Sequence, residues 1–127
     1  MTEANERLAR GKAARERIHG VGSPPGTPAT TELAPYFSQW IYESVFGDLY
    51  ARGTLDLKNR VLVTLAALSA LGRGAQLRGY IKGALRVGWT REEIVEAIVQ
   101  LAPYQGVPLT HDALGVAKEV FDSETKK

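Results

Sequence analysis

The side chains best suited to chemistry are Glu43, Tyr80 and His111 as proton-transfer groups, with Trp40, Arg60, Tyr104 and Gln105 as substrate contacts. At about 100° per residue, Glu43 falls in the middle of a helix side carrying Tyr36, Trp40, Gly47 and Tyr50. A carboxylate among aromatic rings loses hydration, which raises its pKa and suits a general acid or base near neutrality. The competing reading is a structural carboxylate paired with Arg60 or Arg52. Tyr80 lies at the edge of a core face made by Leu77, Ile81, Ala84 and Leu85. It is either a hydrogen-bond donor to a bound oxygen or a packing residue with its hydroxyl in water. Tyr104, Gln105 and His111 surround a break between Pro103 and Pro108, and irregular backbone of that kind often shapes a pocket. His111 reads as a proton-transfer group or as a surface residue in the first turn of a helix. Arg60 opens an apolar helix and is suited to clamping a carboxylate bidentately. The Arg78, Lys82 and Arg86 stripe reads as a solvated face.

Several chemistries are ruled out. The sequence has no cysteine, so thiolate nucleophiles, disulfides and Cys-ligated zinc or iron–sulfur centres are excluded. Neither histidine has a metal-ligand spacing to another His, Asp or Glu, and no metal or cofactor is expected. There is no phosphate-binding glycine loop, dinucleotide fingerprint or Gly-x-Ser-x-Gly elbow.

The elements that must position these residues are helical. The chain has 127 residues, enough for one domain, with 44% hydrophobic and 24% charged residues, as in an ordinary globular protein. Net charge is +2, and residues 1–19 account for all of it, because residues 20–127 hold equal numbers of acids and bases. A nucleic-acid partner is therefore not expected. The longest apolar run, 61–71, is too short to cross a bilayer, so no membrane association is expected, and a cytoplasmic location fits.

An N-terminal helix is predicted over 3–18, followed by a Pro/Gly-rich connector over 20–30. The rest, 31–127, reads as one helical domain. Further helices are predicted at 32–50, at 57–71 (closed by Gly72), at 75–87 (closed by Gly88), from the Thr90–Glu93 capping box to about 102, and at 109–121 before a frayed SETKK tail. The 57–71 helix is apolar nearly all round and is expected to be the central buried element, while the 32–50 helix has two apolar sides. Two such helices in so short a chain point to subunit packing.

The stretches ELAPYFSQWIYESVFGDLYARGTLDLKNRVLVTLAALSALG, QLRGYIKGALRVGWTREEIVEAIVQLAPYQGVP and ALGVAKEVF resemble the carboxymuconolactone decarboxylase family, which shares its all-α fold with alkyl hydroperoxidase D. The resemblance implies an all-α protomer of about six helices in a symmetric homo-oligomer, a trimer or hexamer. It also implies a small-molecule substrate, with aromatic-compound metabolism as a setting. Glu43, Arg60, Tyr104 and Gly106 match the family pattern. The family's dithiol pair falls at Arg73 and Gln76, its usual glutamate at Val61 and its usual histidine at Tyr80.

The resemblance thus implies a cofactor-free enzyme, decarboxylase- or lyase-like or else isomerase-like. It would act by acid/base chemistry, through decarboxylation or isomerisation and enolisation, on a small carboxylated or cyclic metabolite. The alternative is a non-catalytic ligand-binding or structural oligomer. A peroxiredoxin-like reductase conflicts with the missing thiols.

Overall fold

The computed structural model describes residues 2–125, which are all-α with no strand among them. They form two compact units, divided between Leu57 and Lys58, each described by itself below.

In the first unit, α1 (Glu3–His19) is capped by Thr2, whose hydroxyl accepts from the Asn5 amide at 3.2 Å. Acids in its first turn and Arg17 and His19 in its last complement the helix dipole. The connector is less irregular than its composition suggests. Thr27 and Thr30 form a reciprocal capping box with Pro28 at the first helical position, opening α2 (Pro28–Leu33). Pro35 then disfavours helical backbone at Ala34, which sits at φ −144°, ψ 70°. The predicted 32–50 helix is therefore split. Its second part begins as α3 (Tyr36–Trp40) and passes directly into a π-helical segment, Ile41–Tyr50. The Ala51 amide donates to the Phe46 carbonyl at 2.9 Å, the i→i+5 bond of this wider coil.

Packing of α1 on the π-helical segment depends on two glycines. A methyl group at Gly11 would lie 1.8 Å from the Tyr42 carbonyl oxygen, and one at Gly47 would lie 2.7 Å from that of Arg7. The backbones therefore touch, and only glycine fits at the crossing. Arg7 fixes the register with two hydrogen bonds to Asp48, at 3.2 and 2.8 Å. Arg15 donates to the carbonyls of Ser23 and Pro24, tying the connector to α1.

The expected aromatic side of the 32–50 helix is not one buried face. Phe46 and Gly47 are buried, but Tyr36 is 76% and Trp40 52% exposed. Counting at 100° per residue fails across the Pro35 break and in a coil of wider repeat.

At the start of the second unit, α4 (Leu57–Ala70) buries a single stripe of Leu57, Val61, Leu65 and Ser69. Val63 on the same helix is 61% exposed, so the protomer does not bury α4 all round as expected. Two Schellman caps follow. Gly72 (φ 70°) donates to Ser69 O while the Arg73 amide donates to Leu68 O, and Gly88 (φ 109°) repeats the pattern at the end of α5 (Gly74–Arg86). The Thr90–Glu93 capping box opens α6 (Arg91–Val99). The short α7 (Ala102–Gln105) ends at Gly106 (φ 95°).

The last helix, α8 (Val107–Thr125), packs on α5, α6 and α7. It is longer than predicted at both ends. Pro108 falls in the first turn, where its missing N–H costs nothing. Ser123–Thr125 are helical rather than frayed, with the Thr125 hydroxyl accepting from Arg91 at 2.9 Å and donating to Phe121 O. Of the SETKK tail, Lys126 and Lys127 lie outside the described residues.

Among the described residues no helix is long and apolar enough to cross a membrane.

Candidate functional site

The second unit contains a cavity of about 260 Å³. Its walls come from the end of α4 (Leu68, Ser69), the Gly72–Gly74 turn, Leu77 of α5, and Leu109, Asp112, Ala113 and Val116 of α8. The Schellman cap fixes the turn, because the Arg73 amide is bonded back to Leu68 O at 3.0 Å. Arg73, itself exposed, is thereby set in the wall of a largely apolar hollow. Asp112 supplies the only carboxyl group of the wall.

A directed hydrogen-bond chain runs from Ser69. The Thr110 hydroxyl donates to Gly106 O at 2.9 Å, so its oxygen is left to accept from Gln105 Nε2 at 3.0 Å. That orients the amide, and Gln105 Oε1 accepts the Ser69 hydroxyl proton at 2.9 Å. Ser69 and Thr110 are buried at 2% and 8% exposure, so these bonds satisfy groups that would otherwise be costly to bury. The chain also has a chemical consequence. With its proton committed to Gln105, the Ser69 oxygen keeps only acceptor capacity.

The sequence profile of the carboxymuconolactone decarboxylase family matches residues 35–119. The chain belongs to this family. It is 35% identical over 85 residues to 4-carboxymuconolactone decarboxylase of Acinetobacter baylyi, covering 67% of this chain and 63% of that protein. The chain thus spans just under two thirds of the length of that relative. It is 35% identical over 101 residues to a 15.0 kDa protein from the nqo9-nqo10 intergenic region of Paracoccus denitrificans, covering 78% of this chain and 75% of that one. It is 29% identical over 101 residues to the nitrosuccinic acid decarboxylase npaB of Metarhizium robertsii, covering 80% and 68%. Membership and the decarboxylase relatives support a decarboxylase-like role.

Of the two residues that the resemblance sets at the family's dithiol positions, Arg73 belongs to the cavity wall, and both Arg73 and Gln76 are exposed. Val61, at the usual glutamate position, is fully buried in the α4 stripe.

The other residues singled out from the sequence divide between the two units. Trp40 and Glu43 belong to the first unit, Trp40 at the end of α3 and Glu43 half-buried in the π-helical segment. The charge of Glu43 is felt by Arg7, whose guanidinium is held protonated first by its hydrogen bond to Asp48. Arg60 on α4 and Tyr80 on α5 are half-buried in the second unit. Tyr104 on α7 is 89% exposed and His111 on α8 is exposed. Gln105 is the one of this set that the structure ties to the cavity, through Ser69. In the Arg78, Lys82 and Arg86 stripe, Arg78 makes a solvent-exposed pair with Glu119 of α8.

Sequence reasoning missed Ser69 and Asp112. Ser69 carried a usable signal, being the polar member of the 57, 61, 65, 69 repeat. Asp112 carried none.

Proposed function

We propose that the protein is a cofactor-free decarboxylase of small carboxylated molecules and that the cavity of the second unit receives the substrate. The observation that carries this is the placement of Arg73, Asp112 and the directed hydroxyl of Ser69 on a largely apolar hollow of about 260 Å³. The two decarboxylase relatives, by name, act on small carboxylated molecules.

In the reaction, the bond from carbon to the departing carboxylate breaks and its electron pair moves into an adjoining electron-withdrawing group. Carbon dioxide leaves, and the carbon then takes a proton from an acid, so one proton is consumed per turnover. Arg73 stabilises the negative charge that develops on the accepting oxygen. Asp112, the wall's carboxyl, is the geometric candidate to return the proton. Glu43, Tyr80 and His111 are the candidates from sequence, and Trp40, Arg60 and Tyr104 the candidate substrate contacts. Gln105 acts by positioning Ser69. Seven large apolar side chains exposed on the first unit, Trp40 among them, support assembly into a homo-oligomer.

The test is carbon dioxide release from 4-carboxymuconolactone and from nitrosuccinic acid, with each group replaced in turn. Arg73→Gln is expected to lower kcat/KM by about a hundredfold or more. Asp112→Asn, Glu43→Gln, Tyr80→Phe and His111→Gln then rank the proton donors by their loss of kcat. Unchanged turnover in Arg73→Gln removes the cavity from the mechanism. A second reading, a ligand-binding protein without turnover, is favoured by Val61 being sealed in the core. It predicts a raised Tm with these acids and no product.

A further inference from the structure

A second cavity, of about 430 Å³, lies wholly within residues 10–57. Its lining includes three arginines, Arg10, Arg17 and Arg52, against one carboxylate, Asp56. We infer that this cavity is a binding site for a small di- or tricarboxylate, held by Arg10, Arg17 and Arg52.

The placement follows from the local fold. Arg10 and Arg17 are seven residues apart, two turns of α1, and so share a face. The Gly11–Gly47 backbone contact fixes how α1 lies on the π-helical segment. Arg52 comes from the turn immediately after that segment, and with Arg10 and Arg17 it lines one hollow.

Charge bookkeeping sharpens the point. Residues 20–127 are neutral, so the whole net charge of the chain sits on the helix that forms one wall. Nearby acids take only part of it. Asp48 takes Arg7 at 2.8 Å and reaches Arg10 only at 4.0 Å. Among the described residues, Arg17 lies within ion-pair distance of no carboxylate.

The chemistry of the wall selects the ligand. Guanidinium forks match carboxylate pairs in plane and number, and several forks around one hollow favour a molecule with more than one carboxylate. The same lining includes Ala13, Ala14, Tyr50 and Leu57. These surfaces fit a carbon skeleton and would leave an inorganic oxyanion with bare apolar neighbours. Nucleic acid is disfavoured by the neutral remainder of the chain, which offers no extended basic track.

The experiment is isothermal titration calorimetry of the full chain at constant ionic strength, with citrate, succinate, acetate and inorganic phosphate as probes. Citrate and succinate should bind saturably, with acetate and phosphate at least about tenfold weaker. Arg17→Gln and Arg52→Gln should each weaken citrate by about tenfold or more, and the exposed Lys118→Gln should leave it unchanged. Far-UV circular dichroism and sedimentation velocity on the same variants check folding and assembly. Equal affinity in Arg17→Gln and Arg52→Gln, phosphate binding as tight as citrate, or no saturable heat with any probe overturns the inference. So does loss of self-association in these variants without any citrate effect, which assigns the arginines to a subunit contact. No catalytic readout enters, so the outcome is independent of the decarboxylase reading.

Discussion

The cavity within residues 10–57 is walled by arginines and small side chains, and its shape rests on two helices whose backbones touch at Gly11 and Gly47. The cavity within residues 68–116 is walled by apolar side chains, and behind it lies a chain of hydrogen bonds from Ser69 to Gly106. The first is set by steric exclusion, the second by the direction of protons. Steric contacts fail abruptly when an atom is added, whereas a polar chain fails when one member is removed. The two regions should therefore respond to opposite kinds of substitution.

The largest effect is expected at the glycine contact. Gly11→Ala puts a carbon within 1.8 Å of a backbone oxygen, which no side-chain movement relieves. It should cost about 3 kcal/mol or more in urea unfolding. Gly74→Ala, in the second unit, meets only Val116 at 3.9 Å and should be neutral or slightly stabilising. Equal costs at the two positions would break the contrast.

Next comes the polar chain. Gln105→Leu strips partners from buried Ser69 and Thr110 together and should cost about 1–3 kcal/mol by the same measurement. Ser69→Ala combined with Gln105→Leu should recover part of that loss, because fewer polar groups are left unpaired.

A smaller effect is expected from Gly72→Ala. The left-handed backbone there (φ 70°) and the Leu109 methyl at 3.4 Å both oppose a side chain. About 1–2 kcal/mol is expected, read as a fall in Tm.

The smallest test compares two exposed carboxylates. Asp48 is held below the usual carboxylate range chiefly by its hydrogen bond to the Arg7 guanidinium. Glu93 is held below it by the backbone amide, and then the hydroxyl, of Thr90. Both folded values are depressed, so the stability they contribute is present above the unfolded value and lost as pH falls through the folded one. Titration by NMR in 0.1 and 1 M salt should move Asp48 back towards its ordinary value and leave Glu93 nearly in place. Equal movement of both would refute the distinction between an ion pair and a cap.

What could be read from the sequence was local. Gly72, Gly88 and the Thr90–Glu93 box each declare themselves within a few residues, and the structure has all three. The all-α class followed from the same signals. The π-helical repeat over Ile41–Tyr50 carries no such mark, and it moved the aromatic residues off the face that regular helix counting assigned them. The Ser69–Gln105 bond spans 36 positions, and nothing in the types of those two residues announces the pairing. From the sequence, Arg10 and Arg17 belonged to the charged N-terminal segment and Arg52 was a possible partner of Glu43, whereas folding places all three on one hollow.

The two tryptophans of the chain happen to divide between the units. Trp40 is half exposed and stacks on Phe37 at 5.7 Å, while the Trp89 indole N–H donates to Lys58 O at 2.8 Å with the Lys58 ammonium 4.4 Å from its ring centre. Each unit thus carries its own fluorophore, one open to water and one held against a cation. Emission from Trp40→Phe and Trp89→Phe would report on the two units separately, and would show whether they melt together or in turn.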